Sequence, residues 1–85
     1  MIHYLPITDF PNYDVHVSKK LLATVDRQGL IEPLVVMPDG SIYKYHQELF
    51  MAFKQSVSSR IIADRATHII AVYWTDLTPN ERKGL

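Results

Sequence analysis

Residues 29–53 read Gly29-Leu30-Ile31-Glu32-Pro33-Leu34-Val35-Val36-Met37-Pro38-Asp39-Gly40-Ser41-Ile42-Tyr43-Lys44-Tyr45-His46-Gln47-Glu48-Leu49-Phe50-Met51-Ala52-Phe53, and their order decides the fold. Gly29 is the residue that closes a helix arriving from upstream. Residues 30–33 connect. Residues 34–37 are a continuous apolar run with two valines, the pattern of a buried strand. Pro38-Asp39-Gly40 is a turn. Residues 41–45 alternate and predict a strand paired antiparallel to the one before. From 46 to 57, Leu49, Phe50, Phe53 and Val57 fall at helical spacing. They predict a second amphipathic helix with both phenylalanines in the core.

Upstream, residues 4–10 predict a short first strand with Leu5, Ile7 and Phe10 facing inward. Pro6 confines that strand to an edge or to a strand start. Asn12 and Asp14 mark a turn, because each can bond its own backbone. Residues 15–17 give no clear pattern. Ser18 is an N-cap, and the helix over Lys19–Gln28 places Leu21, Leu22 and Val25 on one face. Arg27 suits the negative end of that helix.

Downstream, Ser56, Ser58 and Ser59 read as a break and loop, and Ile61, Ile62, Asp64 and Arg65 as a further helical turn. Residues 68–75 are rich in β-branched and aromatic side chains, which predicts a buried last strand. Tyr73 and Trp74, being neighbours in a strand, should face opposite sides, one in the core and one outward. Thr78-Pro79-Asn80-Glu81 has the layout of a capping box with proline at the first helical position. Little chain follows it. Leu85 packs back, a second copy holds the segment, or a longer helix continues; the expectation is a stand-alone core that self-associates.

Eighty-five residues make a single domain, 1–85, with a core over about 4–77. At 47% hydrophobic the chain can pack a globule, which argues against wholesale disorder. It has no cysteine, so disulfides, thiolate zinc sites and cysteine redox chemistry are excluded. Residues 1–6 place no basic region ahead of an apolar run, as a signal peptide requires, and no apolar stretch approaches the roughly 20 residues that span a bilayer. A cytoplasmic protein without membrane contact is expected. Nine cationic and nine acidic residues give a net charge of zero. Phosphate-binding proteins usually carry a basic excess, so nucleic-acid binding here requires a local patch.

The succession of strand, helix ended by glycine, Pro-Leu-Val-Val strand, Asp-Gly turn, strand, helix and strand resembles the ParB N-terminal core, the fold shared with sulfiredoxin. The resemblance covers residues 5–77 and is most specific over 22–40. It implies a small α+β domain with a mixed sheet and two main helices. It also implies a role in DNA transactions of a plasmid, phage or conjugative element, with DNA as partner. In that family the turn before the second helix carries a glycine and two arginines that hold a nucleoside triphosphate. Aligning Ala52 with the family's small residue puts His46 at the glycine and Glu48 and Leu49 at the arginines. The resemblance thus places a degenerate nucleotide-binding turn at Lys44, Tyr45, His46, Gln47 and Glu48. Histidine resists positive φ and Glu48 repels phosphate, so triphosphate is not expected to bind. The family's early Asn-Pro-Arg-like segment is here Asn12-Tyr13-Asp14-Val15-His16, without arginine, and the sulfiredoxin cysteine is missing.

Among groups that could carry chemistry, His46 and Glu48 are an acid–base or metal pair by type. No third ligand is spaced to join them, and the plainer reading makes both helix-start residues, Glu48 favoured by the dipole. Lys44, Lys54, Arg60 and Arg65 form either a solvated face or, with Tyr43 and Tyr45, a patch for single-stranded nucleic acid. The sequence therefore predicts a non-catalytic binding or regulatory module without cofactor. A nucleotide hydrolase or nuclease, or a protein-interaction subunit that forms a homodimer, are the alternatives.

Overall fold

Strand β3, His68–Tyr73, is the centre of the sheet in the computed structural model, which describes residues 1–30, 32–58 and 68–85. β1, His3–Pro6, pairs antiparallel to it with Leu5 opposite Ile69 and His3 opposite Ala71. β2, Leu34–Val36, pairs parallel on its other side with Leu34 opposite Ala71. Among the described residues the order is β1-β3-β2, so the sheet is mixed and both short strands are its edges. With helices α1, Lys19–Gln28, and α2, Gln47–Ser58, the protein is a small α+β domain.

Alternation along the strands sends Ile69 and Ala71 into the core, where Ile7, Phe10, Leu34, Val36, Ile42 and Phe50 meet them. Phe50, Leu34 and Ile69 have no solvent exposure. Phe10 and Tyr13 both set their rings edge-on to Phe50, at 5.6 and 5.8 Å between centroids. Phe53 is only partly buried and packs beside this cluster, so the expectation of two equivalent core phenylalanines holds for Phe50 alone. The opposite face of the sheet shows Tyr4, 71% exposed.

Ser18 caps α1 as its sequence predicts, its hydroxyl accepting from Leu21 N–H at 3.2 Å, and Gly29 ends it at φ +72°. The predicted first strand over 4–10 stops at Pro6, which has no N–H to donate, and residues 7–9 form a 3₁₀ turn that still buries Ile7 and Phe10. The last strand likewise ends at Tyr73, and Trp74–Asp76 is 3₁₀. Ser56, predicted to lie in a loop, sits inside α2 and is buried. Its hydroxyl donates to Asp26 of α1, so a polar contact bridges the two packed helices. The side chains of Val57 and Ser58, and the turn predicted around Ile61, Ile62, Asp64 and Arg65, lie outside the described residues.

The second strand of the predicted hairpin is the main departure. Met37 O accepts from Gly40 N–H at 2.9 Å, Gly40 adopts φ +87°, and Asp39 accepts from both the N–H and the hydroxyl of Ser41. That much is the predicted turn. Only Ile42 then bridges antiparallel to Val36, and residues 44–46 coil into a 3₁₀ turn that runs into α2. The pairing runs from Ser41, whose O accepts from Met37 N–H at 2.7 Å, to Tyr43, whose N–H donates to Val35 O, and stops where the 3₁₀ turn begins at Lys44.

α3, Pro79–Lys83, carries the predicted capping box in full. Its end and Leu77 share with Pro33, Val35 and Val72 a groove of about 350 Å³ on the sheet. Leu85 lines that groove while remaining 42% exposed, so the tail packs back on its own domain.

Candidate functional site

The turn before α2 is built around Val35. Along the outer edge of β2, Val35 O accepts from Tyr43 N–H at 2.8 Å, and Val35 N–H donates to His46 Nδ1 at 3.0 Å. On this side, where the described residues place no further named strand, the edge of β2 is satisfied by a backbone amide and an imidazole. The bond requires an unprotonated Nδ1 and so leaves the ring proton on Nε2. His46 is half-buried, and burial holds its pKa below the ordinary histidine value, while the Glu32 carboxylate pulls the other way.

Glu48 points away from this turn. Its Oε2 accepts from Ser18 N–H at 3.1 Å, completing the cap of α1 from a residue of α2. Gln47 Nε2 donates to Ile42 O at 3.0 Å and tightens the same corner. Tyr13 closes it from the other side, its hydroxyl accepting from Ile42 N–H at 3.0 Å. His46 and Glu48 therefore do not converge, and each is engaged by a backbone amide. Among the described residues no group of three or more His, Asp or Glu side chains is placed to hold a metal ion.

What the turn leaves facing outward is aromatic and cationic. Tyr45 is 74% exposed, and Lys44 Nζ lies 5.9 Å from its ring centroid. Tyr43 meets Tyr45 edge-on at 5.5 Å and stacks on Trp74, 6.0 Å away with planes 21° apart. The Arg82 guanidinium lies 5.1 Å from the Trp74 ring, and Arg82 Nε donates to Trp74 O at 3.2 Å. Lys44, Tyr45, Tyr43, Trp74 and Arg82 thus form one row running from the α2 turn to α3.

Of the residues marked in the sequence as nucleotide-binding, Lys44 and Tyr45 are on this surface, whereas His46, Gln47 and Glu48 serve the fold. Of the predicted basic patch, Lys54 Nζ donates to Asn12 Oδ1 at 2.6 Å, and Arg60 and Arg65 lie outside the described residues. Sequence reasoning identified Trp74 as a residue with an outward option but missed Arg82. Short-range spacing carries no signal that joins Tyr43 to a residue of the last helix.

Comparison of the chain with protein-family models, with curated proteins and with solved structures finds no match. No helix among the described residues is long and apolar enough to cross a membrane.

Proposed function

We propose that this chain is a non-catalytic binding module with a ParB-like core, acting in DNA transactions of the kind a plasmid, phage or conjugative element requires. One observation carries the non-catalytic half of that reading. The two groups with acid–base capacity at the turn, His46 and Glu48, are engaged by Val35 N–H and Ser18 N–H. A general base has to reach a substrate proton, and these two are directed at the backbone. The element order β1, α1, β2, Asp-Gly turn, α2, β3 supports the ParB-like part.

The test combines two measurements. Calorimetric titration with CTP and ATP in the presence of Mg²⁺ should give no binding. Micromolar binding lost on His46→Ala would make the turn a nucleotide site and favour a hydrolase of the same superfamily. Gel-shift with single-stranded and duplex DNA at low salt should give a complex, and failure with both would remove the DNA role.

The protein-interaction reading is favoured by a different feature. Among the described residues β1 is an edge strand; Tyr4 within it is 71% exposed, and Ile2 just before it 56%. Unpaired edges with apolar neighbours invite pairing with another chain. Sedimentation equilibrium separates this reading, since a homodimer through β1 makes the apparent mass rise with concentration.

A further inference from the structure

We propose that the row Tyr45, Tyr43 and Trp74, with Lys44 at one end and Arg82 at the other, is a platform for single-stranded nucleic acid. This rests on the binding-module reading above and names its ligand and its residues. Proteins that hold single strands combine aromatic faces, on which unpaired bases stack, with cations that follow the phosphates. Here three aromatic side chains are contiguous, with centroid separations of 5.5 and 6.0 Å, and each end carries a cation at 5.9 or 5.1 Å from the ring beside it.

The inner part of the row also has a structural task. Trp74 and Arg82 fasten α3, and Tyr43 lies against His46, its ring 5.3 Å away. Tyr45 is different. At 74% exposure it adds little to the core, yet a large ring is held at the surface beside a lysine. Three nearby carboxylates are directed elsewhere: Glu81 accepts from Thr78 N–H, Glu48 from Ser18 N–H, and Asp76 lies 3.9 Å from His3 Nε2, while Glu32 acts on the His46 ring. A base on the Tyr45 face, which is tilted 64° from Tyr43, would lie beside the Tyr43–Trp74 pair, and the neighbouring phosphates would meet Lys44 and Arg82.

A chain of zero net charge sets the character of this binding. Two cations neutralise two phosphates at most, so the logarithm of affinity should fall against the logarithm of salt with a slope of only about −1.4 for a single strand. Stacking, which salt does not screen, supplies the rest.

The experiment is fluorescence anisotropy with a labelled oligothymidylate of about 12 nucleotides, checked by quenching of Trp74, the chain's one tryptophan. The expected result is binding to the single strand in preference to a duplex of equal length, with the shallow slope above. Tyr45→Ala should weaken it about fivefold to a hundredfold, and Tyr45→Phe, which keeps the ring, should restore it. Lys44→Ala should weaken it less and make the slope shallower by about 0.7. Tyr45 is outside the core, so thermal melts of these variants should match the parent. Duplex binding untouched by Tyr45→Ala overturns the platform while leaving the DNA-module reading in place, and no binding to either form overturns both.

Discussion

Glu48 Oε2 lies 3.1 Å from Ser18 N–H, so the first turn of α2 caps the start of α1. In an ordinary capping box the carboxylate comes from the third residue of the same helix, here Leu21, which has none to give. Glu48 supplies it across a sequence separation of 30 residues and ties the two helices at their N-terminal ends. Glu48, expected from the sequence to favour the start of its own helix and to repel phosphate, thus also serves the start of the other helix. Glu48→Ala should destabilise the domain by about 1–2 kcal/mol, and Glu48→Gln, which keeps an acceptor, by clearly less. Urea denaturation of the three proteins measures it, and equal midpoints for Glu48→Ala and the parent would show the contact to be idle.

His46 gives the fold a pH dependence whose sign follows from its bond. Nδ1 accepts from Val35 N–H, which only the neutral ring can do. Burial lowers its folded pKa, so the unfolded chain takes up the proton more readily than the folded one. Its contribution is complete above the unfolded value of about 6.5 and is lost as pH falls through the lower folded value. Stability should therefore decline in mildly acid solution, before the carboxylates titrate. His46→Asn, whose side chain retains an acceptor and does not titrate, should flatten that limb. His3→Gln is the control, because His3 packs on Tyr73 with centroids 4.7 Å apart. A limb that persists in His46→Asn assigns the effect to another group.

Phe50 and Phe53 separate what helical spacing can and cannot say. Phe50 has no exposure and meets the rings of both Phe10 and Tyr13, whereas Phe53 is partly exposed at the margin of the core. Phe50→Ala should cost about 3–5 kcal/mol, a large share of the stability of a domain this small, and Phe53→Ala distinctly less. Thermal melts of both variants test the ranking. Equal losses would place Phe53 as deep as Phe50.

Local signals in this chain were legible wherever a few neighbouring residues decide the outcome. Ser18 and Gly29 bound α1, Asp39 and Gly40 make the turn, and Thr78 and Glu81 form their reciprocal cap, each through bonds between near neighbours. The two main helices and the apolar run of β2 were legible for the same reason. Residues 41–45 misled because their alternation satisfies a strand pattern, while the pairing ends at Tyr43 and the next bond on that edge, from Val35 N–H, goes to the His46 side chain. Ser56 misled because a serine beside other serines looks like a loop, and only the packing of α1 on α2 gives its hydroxyl the Asp26 carboxylate. At the candidate site, Tyr43 and Tyr45 were visible from their place near Lys44. Arg82 was not, because its part in the row depends on α3 folding back over the sheet.

That return of α3 supports the last prediction. Pro79–Lys83 is far shorter than a helix that is stable alone in water, since nucleation fixes several residues for one hydrogen bond. Three things hold it: the Thr78–Glu81 box, the groove shared with Val35 and Val72, and Arg82 on Trp74. The hydrogen bonds from Thr78 keep the Glu81 carboxyl below its usual pKa, so the box persists in mild acid and opens only as pH falls through that lowered value. Arg82→Ala removes both the ring contact and the bond to Trp74 O while leaving the box intact. It should speed amide exchange at Gly84 and Leu85, whose N–H groups bond Glu81 O and Arg82 O, and shift Trp74 emission to longer wavelength as water reaches the ring. Exchange in α1 and α2, which Arg82 does not touch, should stay as it was. Slow exchange at Gly84 in Arg82→Ala would mean that the groove alone secures α3.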